Sequence, residues 1–175
     1  MSEDEVFMEK SRVAVFMAER GSITGLGFLT LLVLFVDQVT KAWVMANLGW
    51  HEVYPVVPGF FNLVYITNTG AAFGFLAGAE HWRYIFFQVI SVFAFGVLFY
   101  LYRSGPRPTR ALFLGCALVS GGALGNLVDR LRYRAVVDFL DFHVSGYHWP
   151  AFNVADTAIT VGAAFLAWHF LKNVS

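Results

Sequence analysis

FNVADTAITVGAAFLAWHFL, residues 152–171, decides what kind of protein this is. About 20 mostly apolar residues are what an α-helix needs to cross the roughly 30 Å hydrocarbon core of a bilayer. This stretch has that length, and it carries Asn153, Asp156, Thr157 and Thr160 in its first half. A carboxylate at the hydrocarbon edge costs several kcal/mol unless it is paired or hydrated, so Asp156 marks a functional-site hypothesis.

Working outward, three further stretches meet the same length criterion: 23–48, 84–102 and 111–128. The whole chain is 58% hydrophobic and 14% charged, with a mean hydropathy of +0.61. Soluble domains carry about 25% charged residues, so composition and spans both indicate an integral membrane protein. The net charge is zero, which removes any case for nucleic acid as a partner. Cys116 is the single cysteine and reads as a small packing residue. The five histidines are scattered, without metal-ligand spacing, so no metal and no cofactor is expected.

Four spans place both termini on one side. Lys10, Arg12, Arg20, Arg103, Arg107, Arg110 and Lys172 fall on that side, against Lys41, Arg83, Arg130, Arg132 and Arg134 on the other. The positive-inside rule then predicts cytoplasmic termini, with residues 1–20 as a cytoplasmic polar tail. That tail is too acidic for a signal peptide. Trp43, Trp50, Trp82 and Trp149 mark the non-cytoplasmic interface, and Tyr100, Tyr102 and Trp168 the other. Residues 51–82 form a polar-aromatic insertion on the non-cytoplasmic face. Turn signals punctuate it at Pro58-Gly59 and Asn68-Thr69-Gly70, and β-rich sequence lies between them at 60–67. A second loop on that face, 131–150, joins the third and fourth spans. The expected fold is therefore a single all-α membrane domain with a small β-element between spans one and two.

Every polar cluster falls at the non-cytoplasmic end of its span. Asp37 and Lys41 stand one helical turn apart and read as a structural ion pair. Asn126 and Asp129 share a face of span three, with Arg130 beside them. Asn153, Asp156 and Thr160 form a stripe on span four that must avoid lipid. Bland readings exist for each: asparagines serve as interhelical glue, Gly121 and Gly125 as a close-packing pair. Asp156 can favour the helix dipole, and Asp138 can sit in a wet loop. Convergence favours chemistry. Asp138 and Asp156 are assigned to the same side at similar depth, and two adjacent carboxylates cannot both ionise readily, so they share a proton. One member then takes a proton from water while the other donates to a scissile carbonyl. Serine chemistry lacks a histidine at matching depth, and no Gly-x-Gly-Asp occurs.

Five blocks resemble the bacterial lipoprotein signal peptidases, or signal peptidase II. They are Asp37-Gln38-Val39-Thr40-Lys41, Asn68-Thr69-Gly70-Ala71-Ala72-Phe73, the run from Gly121 to Arg130, Val136-Val137-Asp138-Phe139 and Phe152-Asn153-Val154-Ala155-Asp156. They occur in family order across most of the chain. The resemblance implies an aspartic peptidase of the inner membrane, blocked by globomycin, that cuts prolipoproteins just before a diacylglyceryl-cysteine. Asp138 and Asp156 match the family's catalytic pair. Asn68, Gly70, Asn126, Asp129, Arg130 and Asn153 match polar positions that line or brace the site, and 51–82 matches a periplasmic β-cradle. The implied partners are lipidated prolipoproteins and membrane lipids, with nothing requiring more than a monomer. The rival reading from another class is a small proton-coupled transporter using the same carboxylates as a relay.

Overall fold

The computed structural model describes residues 3–70, 80–104 and 109–173. Chain order is α1 (Glu3–Asn47), β1 (Val53–Val57), β2 (Phe61–Asn68), α2 (Glu80–Ser104), α3 (Arg110–Tyr133), β3 (Val136–Val144), β4 (Tyr147–His148) and α4 (Val154–Asn173). Four segments of these helices are long and apolar enough to cross a membrane: Ile23–Asn47, Tyr84–Ser104, Arg110–Tyr133 and Val154–Lys172.

The central helix is α3, which packs most extensively on α4 and then on α1. Between helices in lipid there is no hydrophobic drive to association, so close packing of small residues must hold them. α3 supplies those residues on two faces. Towards α1, a Cβ on Gly121 would stand 2.6 Å from Val33 Cβ and 2.8 Å from Thr30 O. Towards α4, a Cβ on Gly122 would strike the Ala155 carbonyl and lie 2.8 Å from Ile159 Cγ1. Gly115 and Gly162 face each other across the same seam, each Cβ position 3.0 Å from the other's carbonyl oxygen. Gly121 thus packs as expected, and Gly115, Gly122 and Gly162 extend the pattern.

Cys116 is buried with Leu98, Tyr102 and Leu112 in an apolar cluster that joins α2 to α3. Tyr102 is therefore a core residue instead of an interface marker. Tyr100, Trp168, Trp43, Trp50, Trp82 and Trp149 remain exposed.

Helix ends are chemically defined. Thr109 caps α3, its hydroxyl accepting from Leu112 N–H at 3.1 Å. Arg134 ends α3 in a left-handed conformation, φ 58°. α3 thus runs five residues beyond 128 and carries Asp129 and Arg130 on the helix itself. α1 is a continuous helix of 45 residues, its backbone helical from Glu3 onward through the expected polar tail.

The sheet departs from expectation. It has four antiparallel strands in the order β1-β2-β3-β4, so the connection between α3 and α4 contributes half of it. The fold is not all-α with one β-insertion; two separate connections meet in a shared sheet. Ile66 pairs with Asp138, Thr67 with Val137 and Asn68 with Val136. Phe61, Phe142 and Phe152 stack in succession, with ring centroids 4.7 and 5.8 Å apart. Asn62 and His148 both bond Asp141 at 2.8 Å, tying β2 and β4 through β3. Burial alone would raise the Asp141 carboxyl, but these two hydrogen bonds and the nearby His charges hold it below the usual range.

Replacing Gly122 with leucine is expected to prise α4 from α3 and destabilise the protein by about 1–3 kcal/mol or more. Gly27, whose Cβ position is open, should accept alanine with no loss. Thermal unfolding in detergent micelles checks both, and equal melting temperatures for Gly122→Leu and wild type would refute this packing account.

Candidate active site

The α1, α3, β3 and α4 segments converge on one buried ammonium. Lys41 Nζ lies 2.8 Å from Asp37 Oδ2, 2.8 Å from Asp129 Oδ2 and 3.1 Å from Asn126 Oδ1. Its three N–H groups are thereby all used. Lys41 is 1% exposed, Asp37 0% and Asp129 1%. The two acids are also satisfied elsewhere. Asp37 Oδ1 accepts from Ala155 N–H at 2.9 Å, and Asp129 Oδ2 from Val137 N–H at 3.1 Å. Gln38 Nε2 donates to Asp129 Oδ1 at 2.8 Å, to Asp37 Oδ2 at 3.2 Å and to the Gly125 carbonyl at 3.3 Å. A buried ion pair is tolerated only when its remaining lone pairs find donors, and here they do.

This brace fixes where the next layer sits. α4 begins with a reciprocal cap: Asp156 N–H donates to Asn153 Oδ1 at 2.9 Å, and Asn153 N–H to Asp156 Oδ2 at 3.3 Å. Asn153 Nδ2 donates to Asp138 Oδ1 at 2.8 Å and to Val137 O at 3.1 Å. Asn126 Nδ2 donates to Asp156 Oδ1 at 2.8 Å. Two asparagines thus each hold one of the two aspartates, and Asn153 joins them by donating to Asn126 Oδ1 at 3.3 Å.

A cavity of about 120 Å³ opens over this arrangement, lined by Asn68, Gly70, Phe87, Asn126, Arg130, Val136, Asp138 and Asp156. Asn68 arrives at the end of β2 in a tight turn, its Oδ1 accepting from Gly70 N–H at 2.8 Å. Gly70 has φ +80°, and a side chain there would run into the Phe87 ring, so only glycine fits. Arg130 lies over the same ring, its guanidinium carbon 4.7 Å from the centroid, a cation–π contact. Asp138 is 2% exposed while Asp156 is half-buried. Burial, reinforced by the Asp156 charge, pushes the Asp138 carboxyl up to about 7, against hydrogen bonds from Asn68 and Asn153 and the more distant Lys41.

Six of the residues singled out from sequence therefore line the cavity: Asn68, Gly70, Asn126, Arg130, Asp138 and Asp156. Asp129 and Asn153 stand behind it as fully buried supports. Asp37 and Lys41 lie deeper, in the brace. Ala71, Ala72 and Phe73 of the second block lie outside the described residues. Sequence reasoning missed Phe87, and it quoted Gln38 in the first block without giving it a role. Phe87 is one of nineteen phenylalanines and offered no signal. The signal for Gln38 was its place inside the Asp37–Lys41 turn, where a polar group in a span must be paired. Among the described residues, no group of three or more His, Cys, Asp or Glu side chains is placed to hold a metal ion.

A family model described as Signal peptidase (SPase) II matches residues 29–172. The lipoprotein signal peptidase of Syntrophus aciditrophicus is 51% identical over 143 residues, which cover 81% of this chain and 88% of that one. That of Oleidesulfovibrio alaskensis is 49% identical over 146 residues, covering 83% of this chain and 93% of its own length. A solved structure reported as a "Bacterial membrane enzyme structure by the in meso method at 1.9 A resolution" is 31% identical, with a TM-score of 0.77 over 86% of this chain and 94% of that one.

Removing one member of the brace leaves the others buried without compensation. Asp37→Ala strips a partner from Lys41 and the acceptor from Ala155 N–H, and is expected to destabilise by about 3–5 kcal/mol. Thermal or denaturant unfolding in micelles measures this, and a change below about 1 kcal/mol would show the brace to be dispensable.

Proposed function

The chain belongs to the signal peptidase II family, and from that premise we propose that it cleaves lipid-modified prolipoproteins with the Asp138–Asp156 pair. It is a bacterial multi-pass membrane protease that processes lipoproteins. The single observation that carries the proposed mechanism is the meeting of Asp138 and Asp156 on one small cavity, each held by its own asparagine.

One carboxylate takes a proton from water as the water oxygen bonds to the scissile carbonyl carbon. The other carboxyl donates its proton to the carbonyl oxygen, so that no full negative charge builds there. Collapse of the tetrahedral intermediate breaks the C–N bond; the leaving nitrogen takes up the proton first removed from water, and a hydroxyl proton of the intermediate returns to the other carboxylate as the new C=O forms. Arg130, seated on Phe87 and facing Asp156 and Asp138, keeps the net charge of the pair from accumulating in a partly desolvated site. Asn68, Gly70, Asn126, Arg130, Asp129 and Asn153 line or brace the substrate site, and Asp37 with Lys41 forms the structural core beneath it.

The proposed cut lies just before the lipidated cysteine. Such a bond stands between an apolar signal helix and acyl chains that stay in the leaflet, so a dyad at the end of the spans can reach it and still obtain water. In this reading the enzyme sits in the inner membrane with both termini cytoplasmic, acting as a monomer on prolipoproteins among membrane lipids. The active site and the sheet lie towards the periplasm, where exposed Trp50, Tyr54, Phe60 and Trp149 meet the headgroup region.

Asp138→Asn and Asp156→Asn should each lower cleavage of a lipidated prolipoprotein by at least about 10²–10⁴-fold, with melting temperatures near wild type. Full activity in either variant would defeat the dyad. The pair's shared proton, held near a value of about 7 at Asp138, is present below that pH and lost above it. Cleavage should therefore fall as pH is raised through about 7, and a rate still rising at pH ~9 would contradict the assignment.

A further inference from the structure

The two carboxylates are not held alike, and the difference leads back to Lys41. The Asn126 amide stands between them and the buried ammonium. Its Oδ1 accepts from Lys41 Nζ at 3.1 Å and from Asn153 Nδ2 at 3.3 Å, which leaves Nδ2 to donate to Asp156 Oδ1 at 2.8 Å. Turned over, the amide would point its NH2 at an ammonium and its oxygen at a carboxylate, two repulsive contacts in a buried site. The Lys41 cation therefore decides which end of Asn126 meets Asp156. Asp156 receives a second donor, Asn153 N–H on Oδ2 at 3.3 Å, and it occupies the first turn of α4, where the helix dipole favours negative charge. A carboxylate with N–H donors on both oxygens at a helix N-terminus is built to stay charged.

Asp138 is placed differently. It lies on β3, away from any helix N-terminus, and is 2% exposed where Asp156 is half-buried; Asn68 and Asn153 donate to it, and like Asp156 it forms no ion pair among the described residues.

We infer that Lys41 is a positioning residue that, acting through Asn126, holds Asp156 as the ionised base and leaves the proton on Asp138. This rests on the reading of Asp138 and Asp156 as the reacting pair and adds a division of labour to it. The water's proton goes to Asp156, and the Asp138 proton goes to the scissile carbonyl oxygen. Lys41 touches neither substrate nor water. Of the other charged groups, Arg130 from α3 and Asp138 from β3 face Asp156, while Asp37 from α1 and Asp129 from α3 lie in the brace beneath Asn126. Asp37 and Asp129 are already paired with Lys41, which leaves Arg130 and the Lys41–Asn126 link to support the Asp156 charge.

The test is the pH dependence of kcat for the full-length protein in detergent, with a synthetic lipidated prolipoprotein as substrate. Asn126→Leu cuts the link but leaves Lys41 with both acid partners. It should move the acidic, ascending limb upward by about 0.5–1 pH unit and lower kcat about tenfold or more, with KM changed less than about threefold. Lys41→Met should move the limb the same way, whereas Lys41→Arg, which keeps a cation beside Asn126, should leave it at the wild-type position. An ascending limb that stays put in Asn126→Leu while kcat falls makes Lys41 a purely structural brace and overturns the inference. Should Lys41→Met fail to fold, Lys41→Gln, which is neutral but keeps a donor beside Asn126 Oδ1, takes its place, and a limb at the wild-type position there overturns the inference. Full activity of Asp138→Asn or Asp156→Asn is a separate failure, of the dyad itself.

Discussion

The structure depends on one ammonium group with three obligatory partners. Lys41 reaches Asp37 on its own helix, and Asp129 and Asn126 one turn apart on α3. Through the two acids it also fixes backbone N–H groups at the start of α4 and on β3. Directly and through these partners it ties α1, α3, α4 and β3 together. A buried charge is costly, and the cost is met here by geometry: every N–H of Lys41 and all four carboxylate oxygens of its partners are engaged. Polar residues inside an apolar bundle have one arrangement that satisfies them, so the brace specifies register where lipid-facing surfaces specify nothing. The small residues of α3 serve the same end, since only glycine at 122 and 125 lets α4 and the Asp37 carboxyl approach closely enough.

Much of this was legible in the sequence, and the gaps have physical causes. The four helical spans were readable because lipid imposes length and apolarity on each one separately. The Asp37–Lys41 pair was readable as one turn of helix. Its third and fourth members were not, because they sit 85 and 88 residues further on and only packing brings them near. β3 escaped for a different reason. It is buried on both faces over most of its length, so it lacks the polar–apolar alternation that signals a half-buried strand. Asp138 and Asp141 within it made a polar loop the natural reading. Asp138 was thus identified as a chemical group long before its setting could be, and its setting on a strand paired with Ile66 is what makes it rigid.

The sheet explains how a rigid site can also be open. Helices alone would enclose the carboxylates or expose them to lipid. A sheet assembled from two connections brings Asn68 and Gly70 from one side and Val136 and Asp138 from the other, and closes the cavity from above with backbone that is already hydrogen-bonded. Gly70, just past β2, lies against α2, where Phe87 takes the space a side chain would need. The same ring seats Arg130 at the cavity, so this cation is positioned by an apolar ring instead of by an ion pair. An arginine locked onto a carboxylate would have little left to offer a substrate; one resting on a ring keeps its donors free.

The same logic accounts for the depth proposed for the chemistry. A pair of carboxylates deep in hydrocarbon would both be neutral, and in bulk water both would be charged; either state removes the acid or the base. The structure holds Asp138 in the buried layer and Asp156 half-buried in the first turn of a helix, with amide donors on each. The two environments differ by one layer of packing. On the proposed division of labour, that layer, Asn126 and Asn153 resting on Lys41 and Val137, is where a symmetric pair of side chains becomes an unsymmetric pair of functions.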